Sequence, residues 1–437
     1  AFSPGEKPLD SFDLKSALES IAKAKSQQYN CSVAISYQFK QKDLNGGAIA
    51  GVSDFESGRK AQLTDRFVWG SVTKTLTGAS VLSLVDKKAF ALDDKISPLI
   101  NPIMSKMAAN SPQKSYGKTL EELFGKEVSE VSVRNLLSMR SGIPDFDTAT
   151  PRGQYPTDSF RATVYKHPEE SFSPMDLLNL DWVRTGSLIF TPGSDMSYSS
   201  TNFILLGLIL AQHANVTDFK DFHQGSVFPP ELAAEFADVR FSDDPPPDNY
   251  TSVHGYDTTN YNNQTSVHDV WKTKGVFSGW TASNLVATVG DVANLTYEIY
   301  GTNNQLVSAD IRKEMLTFPP GRHGRGGFYG LATMNLSRST GNRTGVDIAY
   351  GHLGATYGYQ SIVTYHPYLD VALAIATSIE TDYQAQTSDV LCATFNTLVN
   401  YRAGLPAPVC KYTKSGYYFS SCDCKTPSNV TSHVRYT

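Results

Sequence analysis

Strand-like patterning in this chain is concentrated at its two ends, so residues several hundred positions apart have to meet in one sheet. Near the start, "CSVAISYQF" (31–39) and "GAIAGVSDF" (47–55) alternate in hydrophobicity, with Gly46-Gly47 as the turn between them. Near the end, "VDIAYGHLGA" (346–355), "YQSIVTYH" (359–366) and "DVALAIATSI" (370–379) are rich in strand-forming residues, and "HPYLD" (366–370) turns the last two. A helical pattern accompanies each set. Residues 9–29 place Leu14, Leu18, Ile21 and Ala22 on one stripe, and "TSDVLCATFNTLVNYRAG" closes the second set with Gly404 as its cap. From about 96 to 274 short helical patterns such as "VRNLLSMRS" alternate with long polar stretches, as in an inserted helical unit with extended surface loops. The expected organisation is an α/β chain of the α+β type. An antiparallel sheet flanked by helices comes from 1–95 and 275–405, a mainly helical insertion from 96–274, and a Cys-containing tail from 406–437.

An apolar fraction of 40% in 437 residues allows a substantial core. The net charge of -5 creates no basic field, so nucleic acid is not an expected partner. The longest apolar run, "FILLGLILA" (203–211), is too short to cross a bilayer. The chain starts at Ala1 and has Asn-x-Ser/Thr sequons at Asn30, Asn215, Asn249, Asn263, Asn294, Asn335, Asn342 and Asn429. Four of its five cysteines follow residue 390. Together these favour a secreted or secretory-lumen glycoprotein with a disulfide-stapled tail. Cys422 and Cys424 are too close in sequence to pair with each other, and at least one cysteine is left over. No His or Cys cluster has metal-ligand spacing, so neither a metal nor another cofactor is expected.

Chemistry is suggested first by "FVWGSVTKTLTGASVLSLVDKKAF" (67–90), where Ser71 and Lys74 stand one helical turn apart at a helix start. Ser-x-x-Lys also occurs at Ser20, in the middle of the helical pattern of residues 9–29, and at Ser57, Ser111 and Ser115, each with Gly or Pro inside the tetrad. Only the Ser71 copy leads into a helix with apolar Val72, Leu76, Ala79, Leu82 and Val85 behind it. Serine becomes a nucleophile when a neighbouring base takes its proton, and Lys74 can do so only where burial or a neighbouring cation depresses its pKa. A second element, "FTPGSDMSYSSTNFILLGLIL", presents Tyr198 just before another helix. A third, "YGHLGAT", ends an apolar strand in His352-Leu353-Gly354, where the glycine admits a close backbone approach.

In this order the three elements resemble the serine penicillin-recognising superfamily, in its branch of class C β-lactamases, D-alanyl-D-alanine carboxypeptidases and related esterases. "RNLLSMRSGIPDF" (134–146) and "GRGGFYGLATM" (324–334) extend the likeness, which runs from about residue 12 to 402. The resemblance implies a β-lactamase/transpeptidase-like fold with the site between the sheet and the helical unit. It implies Ser71 as the acylated nucleophile, Lys74 and Tyr198 sharing general base and acid work, and His352 in the place of a cation. The backbone N–H groups of Ser71 and Ala355 would form the oxyanion hole, and Ser200, Leu353 and Gly354 would border the substrate.

Two positions depart from the family pattern: Ser200 stands where Tyr-x-Asn has its amide, and Leu353 where the third motif has threonine. A literal Tyr-x-Asn at Tyr261 lies in a polar, sequon-bearing loop and is set aside. "GRHGRGG" (321–327) is not followed by a helix, so Arg322, His323 and Arg325 are placed on a loop near the cleft rather than in a phosphate site. The expected activity is hydrolysis of a small ester, amide or short peptide, including a D-amino-acid bond, through an acyl-enzyme. A true β-lactamase and a catalytically silent binding protein on the same fold are the alternatives. Histidine ordinarily titrates near pH 6.5, so His352 is expected to add a limb to the rate profile between about pH 5 and 8.

Overall fold

The computed structural model describes residues 13–41, 44–111, 116–147, 160–216, 218–223, 226–241, 251–259, 268–302, 306–320, 327–340, 345–381 and 386–403. Six strands form the main sheet: β1 (Val33–Phe39), β2 (Asn45–Ala50), β3 (Met334–Asn335), β4 (Tyr350–Thr356), β5 (Tyr359–His366) and β6 (Val371–Thr377). Their order is β2-β1-β6-β5-β4-β3, antiparallel throughout, so the first strands of the chain do pair with the last. Val33 lies between Ala50 on one side and Thr377 on the other.

The run "VALAIAT" of β6 does not alternate, and β5 and β6 are buried along their whole length. A sheet buried on both faces needs helices on both faces. Helices α1 (Leu14–Tyr29) and α6 (Gln386–Ala403) pack on each other and on this sheet, while α5 (Val289–Tyr300) runs across β1, β5 and β6. The start of α1 is set by Asp13, whose carboxylate accepts from the Ser16 N–H, and its end by Asn30 in the left-handed region.

One expected feature is corrected. Gly46 and Gly47 do not turn the chain between the first two strands; they lie inside β2. The reason is contact: a Cβ on Gly46 would stand 2.9 Å from Tyr37 Oη, so glycine lets the ring of Tyr37 cover the strand. β2 then stops at Ala50 rather than running on to residue 55, because Gly51 takes φ +109 and packs on Ser32.

The helical part is organised around α4 (Thr201–His213), which carries the apolar run 203–211 and is buried on every side from Thr201 to Ala211. Helices α2 (Thr73–Asp86) and α3 (Ser97–Asn110), with the short helices Val133–Leu137, Pro174–Leu178 and Trp280–Ser283, surround it. Segment 96–274 is not purely helical. Its Arg240–Phe241 strand joins Arg66–Val68 and Leu285–Thr288 in one small sheet, and Tyr256–Asp257 and His268–Asp269 join Ile379–Glu380 in another. Cys31 is a free, buried thiol. Gly404 and the tail with Cys410, Cys422 and Cys424 lie outside the described residues.

Gly207 marks a close crossing in the helical part, since a Cβ there would stand 2.1 Å from Thr281 Oγ1 and 2.7 Å from the Trp280 ring. Gly207→Val should therefore lower the unfolding free energy by about 1–3 kcal/mol through overpacking. Urea denaturation would register this as a lower midpoint with an unchanged slope.

Candidate active site

Ser71 sits in a single 3-10 turn, Gly70–Val72, between the strand ending at Val68 and the start of α2. Gly70 takes φ +53, which an L side chain rarely adopts. Space enforces the same choice, because a Cβ at Gly70 would meet the backbone C and O of Ala355 at 2.7 Å and its N at 2.8 Å. Gly354 answers from β4, where a Cβ would stand 2.3 Å from Trp69 O. The two glycines bring the serine turn and β4 together backbone to backbone. Ser361 Oγ, on β5, donates to Trp69 O at 2.7 Å and Thr73 Oγ1 to Gly70 O at 2.6 Å, so the turn is tied from both ends.

Ladder alternation directs the backbone groups of β4. Leu336 N–H donates to Ala349 O, so the odd-numbered residues of β4 face β3. β3 reaches only residues 350 and 351, and the N–H of Ala355 consequently points out of the sheet edge toward the turn that holds Ser71. Ser71, Leu353 and Ala355 are half-buried, and Gly354 is buried.

Lys74 is fully buried, with Nζ 2.8 Å from Ser71 Oγ, 3.1 Å from Ser200 Oγ and 2.9 Å from Ala282 O. Burial pulls its pKa down from 10.5 to about 7, against the opposing pull of the Asp145 and Asp147 carboxylates. Near neutrality a large share of the amine is unprotonated. In that form it can donate to Ala282 O and still accept the Ser71 proton. The Tyr198 hydroxyl faces the Ser71 side chain, and its ring centroid lies 5.0 Å from Lys74 Nζ. Desolvation pushes its phenol well above the ordinary range, so Tyr198 stands as a neutral hydroxyl. Lys74 is the group poised to take a proton, and Tyr198 the one able to relay it.

Two expectations for the site are corrected. His352 does not supply a cation: it is fully buried, and its Nδ1 lies 2.5 Å from Leu353 O, which can only accept. Nδ1 therefore carries the hydrogen, and Nε2 accepts from Tyr329 Oη at 3.0 Å. Burial, followed by the Lys74 charge, holds the imidazole pKa down to about 3. The residue is neutral between pH 5 and 8 and adds no limb there. Its ring centroid is 6.2 Å from that of Tyr198, with Tyr329 packed edge-on against both. Ser200, expected at the substrate, is buried behind Lys74: its hydroxyl faces the amine and its N–H donates to Asp145 Oδ1 at 2.9 Å.

Sequence reasoning missed Tyr329, Asp145, Asp147, Ser361 and the carbonyl of Ala282. Tyr329, Asp145 and Ser361 lie in segments that resemble the family or pattern as strand, yet no spacing links any of the five to Ser71 or His352. Arg322, His323 and Arg325 lie outside the described residues, as do Asn249, Asn263, Asn342 and Asn429. Asn30, Asn215 and Asn335 are exposed, whereas Asn294 is half-buried with its amide donating to Glu235. Among the described residues no helix is long and apolar enough to cross a membrane, and no group of three or more His, Cys, Asp or Glu side chains is placed to hold a metal ion.

A family model described as Beta-lactamase matches residues 34–390. Among solved structures, the D-amino acid amidase from Ochrobactrum anthropi SV3 complexed with L-phenylalanine amide is 17% identical, covers 90% of this chain and 100% of its own, and superposes with a TM-score of 0.63. A D-stereospecific amidohydrolase from Streptomyces sp. is 19% identical over 89% of this chain and 99% of its own, at a TM-score of 0.60. The octameric penicillin-binding protein homologue from Pyrococcus abyssi is 18% identical over 88% and 76% respectively, at 0.58. At these identities the structural likeness is one of fold.

Lys74 can take the Ser71 proton only in its unprotonated form, so the expected outcome for kcat/KM on a neutral ester is a rise with pH through about 7 and a plateau above it. His352→Gln should leave that limb where it is. A limb that vanishes in this variant would return the titration to His352.

Proposed function

The chain belongs to the beta-lactamase family of serine hydrolases, and from that premise we propose that it cleaves a small ester or amide by passing the acyl group through Ser71. One observation carries the reading: a fully buried amine, Lys74 Nζ, lies 2.8 Å from Ser71 Oγ and titrates near neutrality. As Oγ attacks the carbonyl, its proton passes to Lys74, directly or through the Tyr198 hydroxyl. The N–H groups of Ser71 and Ala355 receive the charge that develops on the carbonyl oxygen. The proton then returns to the leaving group, which departs and leaves the acyl-enzyme. A water molecule attacks that ester with its proton taken by the same groups, and Ser71 is regenerated.

A catalytically silent binding protein is disfavoured by the cost of the arrangement. The three bonds of Lys74 go to two hydroxyls and a carbonyl, none to a carboxylate. Burying an ammonium without a bonded counter-ion is expensive, and a chain relieved of chemistry would gain by replacing it. The substrate reading favours esters and amides over β-lactams. Neutral His352, Leu353 and buried Ser200 all lack what relatives turn toward a substrate carboxylate or amide. The amide-cleaving proteins of similar fold, including D-amino acid amidase, support a D-amino-acid amide as one member of the class.

A secreted glycoprotein is the accompanying proposal for location, supported by the sequons, of which Asn30, Asn215 and Asn335 are exposed. Enzymatic removal of N-linked glycans should lower the apparent mass of protein purified from its natural source; an unchanged mass would count against this location.

A fluorophosphonate should label Ser71 and no other serine, Ser71→Ala should abolish labelling, and aryl esters should turn over faster than penicillins. Labelling that survives the substitution would sink the assignment. Lys74→Met should abolish labelling without unfolding the protein. The folded pKa of Lys74, about 7, lies below its ordinary 10.5, so its burial penalty is fully present below pH 7 and fades as pH rises toward 10.5. The methionine variant should accordingly be at least as stable as the parent at pH 6, measured by thermal melting.

A further inference from the structure

Beyond the groups that touch Ser71 lies a second buried cluster that the reaction above does not use. Arg161, on the short helix Phe160–Lys166, is 8% exposed. Its guanidinium forks between two carboxylates, with Nη1 2.8 Å from Asp257 Oδ2 and Nη2 2.8 Å from Glu380 Oε1. Thr259 Oγ1 accepts a further bond from Nη1 at 3.0 Å, and Tyr165 Oη donates to Asp257. Asp257 and Glu380 sit side by side on paired strands and are themselves buried.

The far end of this cluster is the tight turn that joins β4 to β5. Thr356 pairs with Tyr359, leaving only Tyr357 and Gly358 in the turn, with Gly358 at φ +89. Glu380 Oε2 accepts from the Gly358 N–H at 3.1 Å, so one carboxylate grips the turn with one oxygen and Arg161 with the other. The guanidinium carbon also lies 4.5 Å from the Tyr357 ring centroid, and Tyr357 Oη donates to Asp147 Oδ1 at 2.9 Å. Tyr357 is two residues beyond Ala355. The helical side, through Asp147 and Arg161, and the small sheet of Tyr256–Asp257 and Ile379–Glu380, through Glu380, thus converge on the end of the strand that presents the Ala355 N–H to Ser71.

We propose, resting on the acyl-enzyme reading above, that Arg161 is a positioning residue for the oxyanion hole, acting through Glu380 and the Tyr357-Gly358 turn to set the Ala355 N–H against the Ser71 N–H. It touches no substrate. Its removal moves a donor rather than deleting a reacting group, so the effect falls on the transition state in which the oxyanion develops.

The test compares an aryl ester with the matching thionoester in Arg161→Lys and Glu380→Gln. Lysine keeps the charge but cannot fork, and glutamine keeps the size but cannot accept both from Arg161 and from the Gly358 N–H. A hole shaped for oxygen disfavours the larger, weakly accepting sulfur, and displacement of a donor erodes that preference. The ratio of kcat/KM for ester over thionoester should fall about tenfold or more in both variants, through kcat rather than KM. Because both substrates report on the same folded fraction, a loss of stability cancels from the ratio. A ratio within about twofold of the parent's in the variants that fold would overturn the proposal, leaving Arg161 as a structural ion pair. If Arg161→Lys does not fold, Glu380→Gln decides alone. Failure of the underlying reading shows itself separately, as an unmodified protein that turns over neither substrate and takes no fluorophosphonate.

Discussion

The contact on which the rest depends is between two stretches of backbone, the turn holding Ser71 and the open edge of β4. No side chain separates them, because Gly70 and Gly354 leave no Cβ in the gap. An oxyanion hole made of main-chain N–H groups needs two donors about one atom's width from a common point. Each lies on an element whose position is set far from the reaction. The serine turn is held by Ser361, Thr73 and Leu285, and the strand by its ladder with β5. Glycine at both contact positions is therefore a consequence of geometry. A methyl group on either would open the interface by the width of an atom.

Electrostatics supply the second constraint. The core around Ser71 is dry enough to bring Lys74 near neutrality, to keep Tyr198 protonated and to hold His352 uncharged. One physical cause, desolvation, acts with opposite consequences on acids and bases. It leaves Lys74 titrating near pH 7 beside the hydroxyl. Asp145 and Asp147 moderate the effect, and Asp145 also holds the N–H of Ser200, which places the hydroxyl that touches Lys74.

Legibility in the sequence followed the range of the physical signal. The ends of the sheet were readable because alternation and β-rich composition are local, and β5 occupies residues 359–366 as patterned. The buried helix α4 was readable as an uninterrupted apolar run, and Ser71, Lys74, Tyr198 and His352 were readable as motifs in order. Gly46 and Gly47 pattern as a turn, because a Gly-Gly pair looks alike whether the chain reverses there or a ring from the neighbouring strand lies over it.

The sequence by itself determined which residues carry reactive groups, which family they belong to and that stretches near the two ends of the chain build the main sheet. These are properties of residue type and of neighbours a few positions away. Only the tertiary structure decided the state of those groups. A histidine is cation or neutral ring according to what buries it, and Tyr329 and the Leu353 carbonyl, which capture both nitrogens of His352, make no pattern that spacing could reveal. The same holds for Arg161, Asp257 and Glu380, separated by 96 and 219 positions from the arginine yet joined in one buried cluster at the end of β4. Ionisation and orientation depend on distances across the fold, and those distances exist only once the chain has closed.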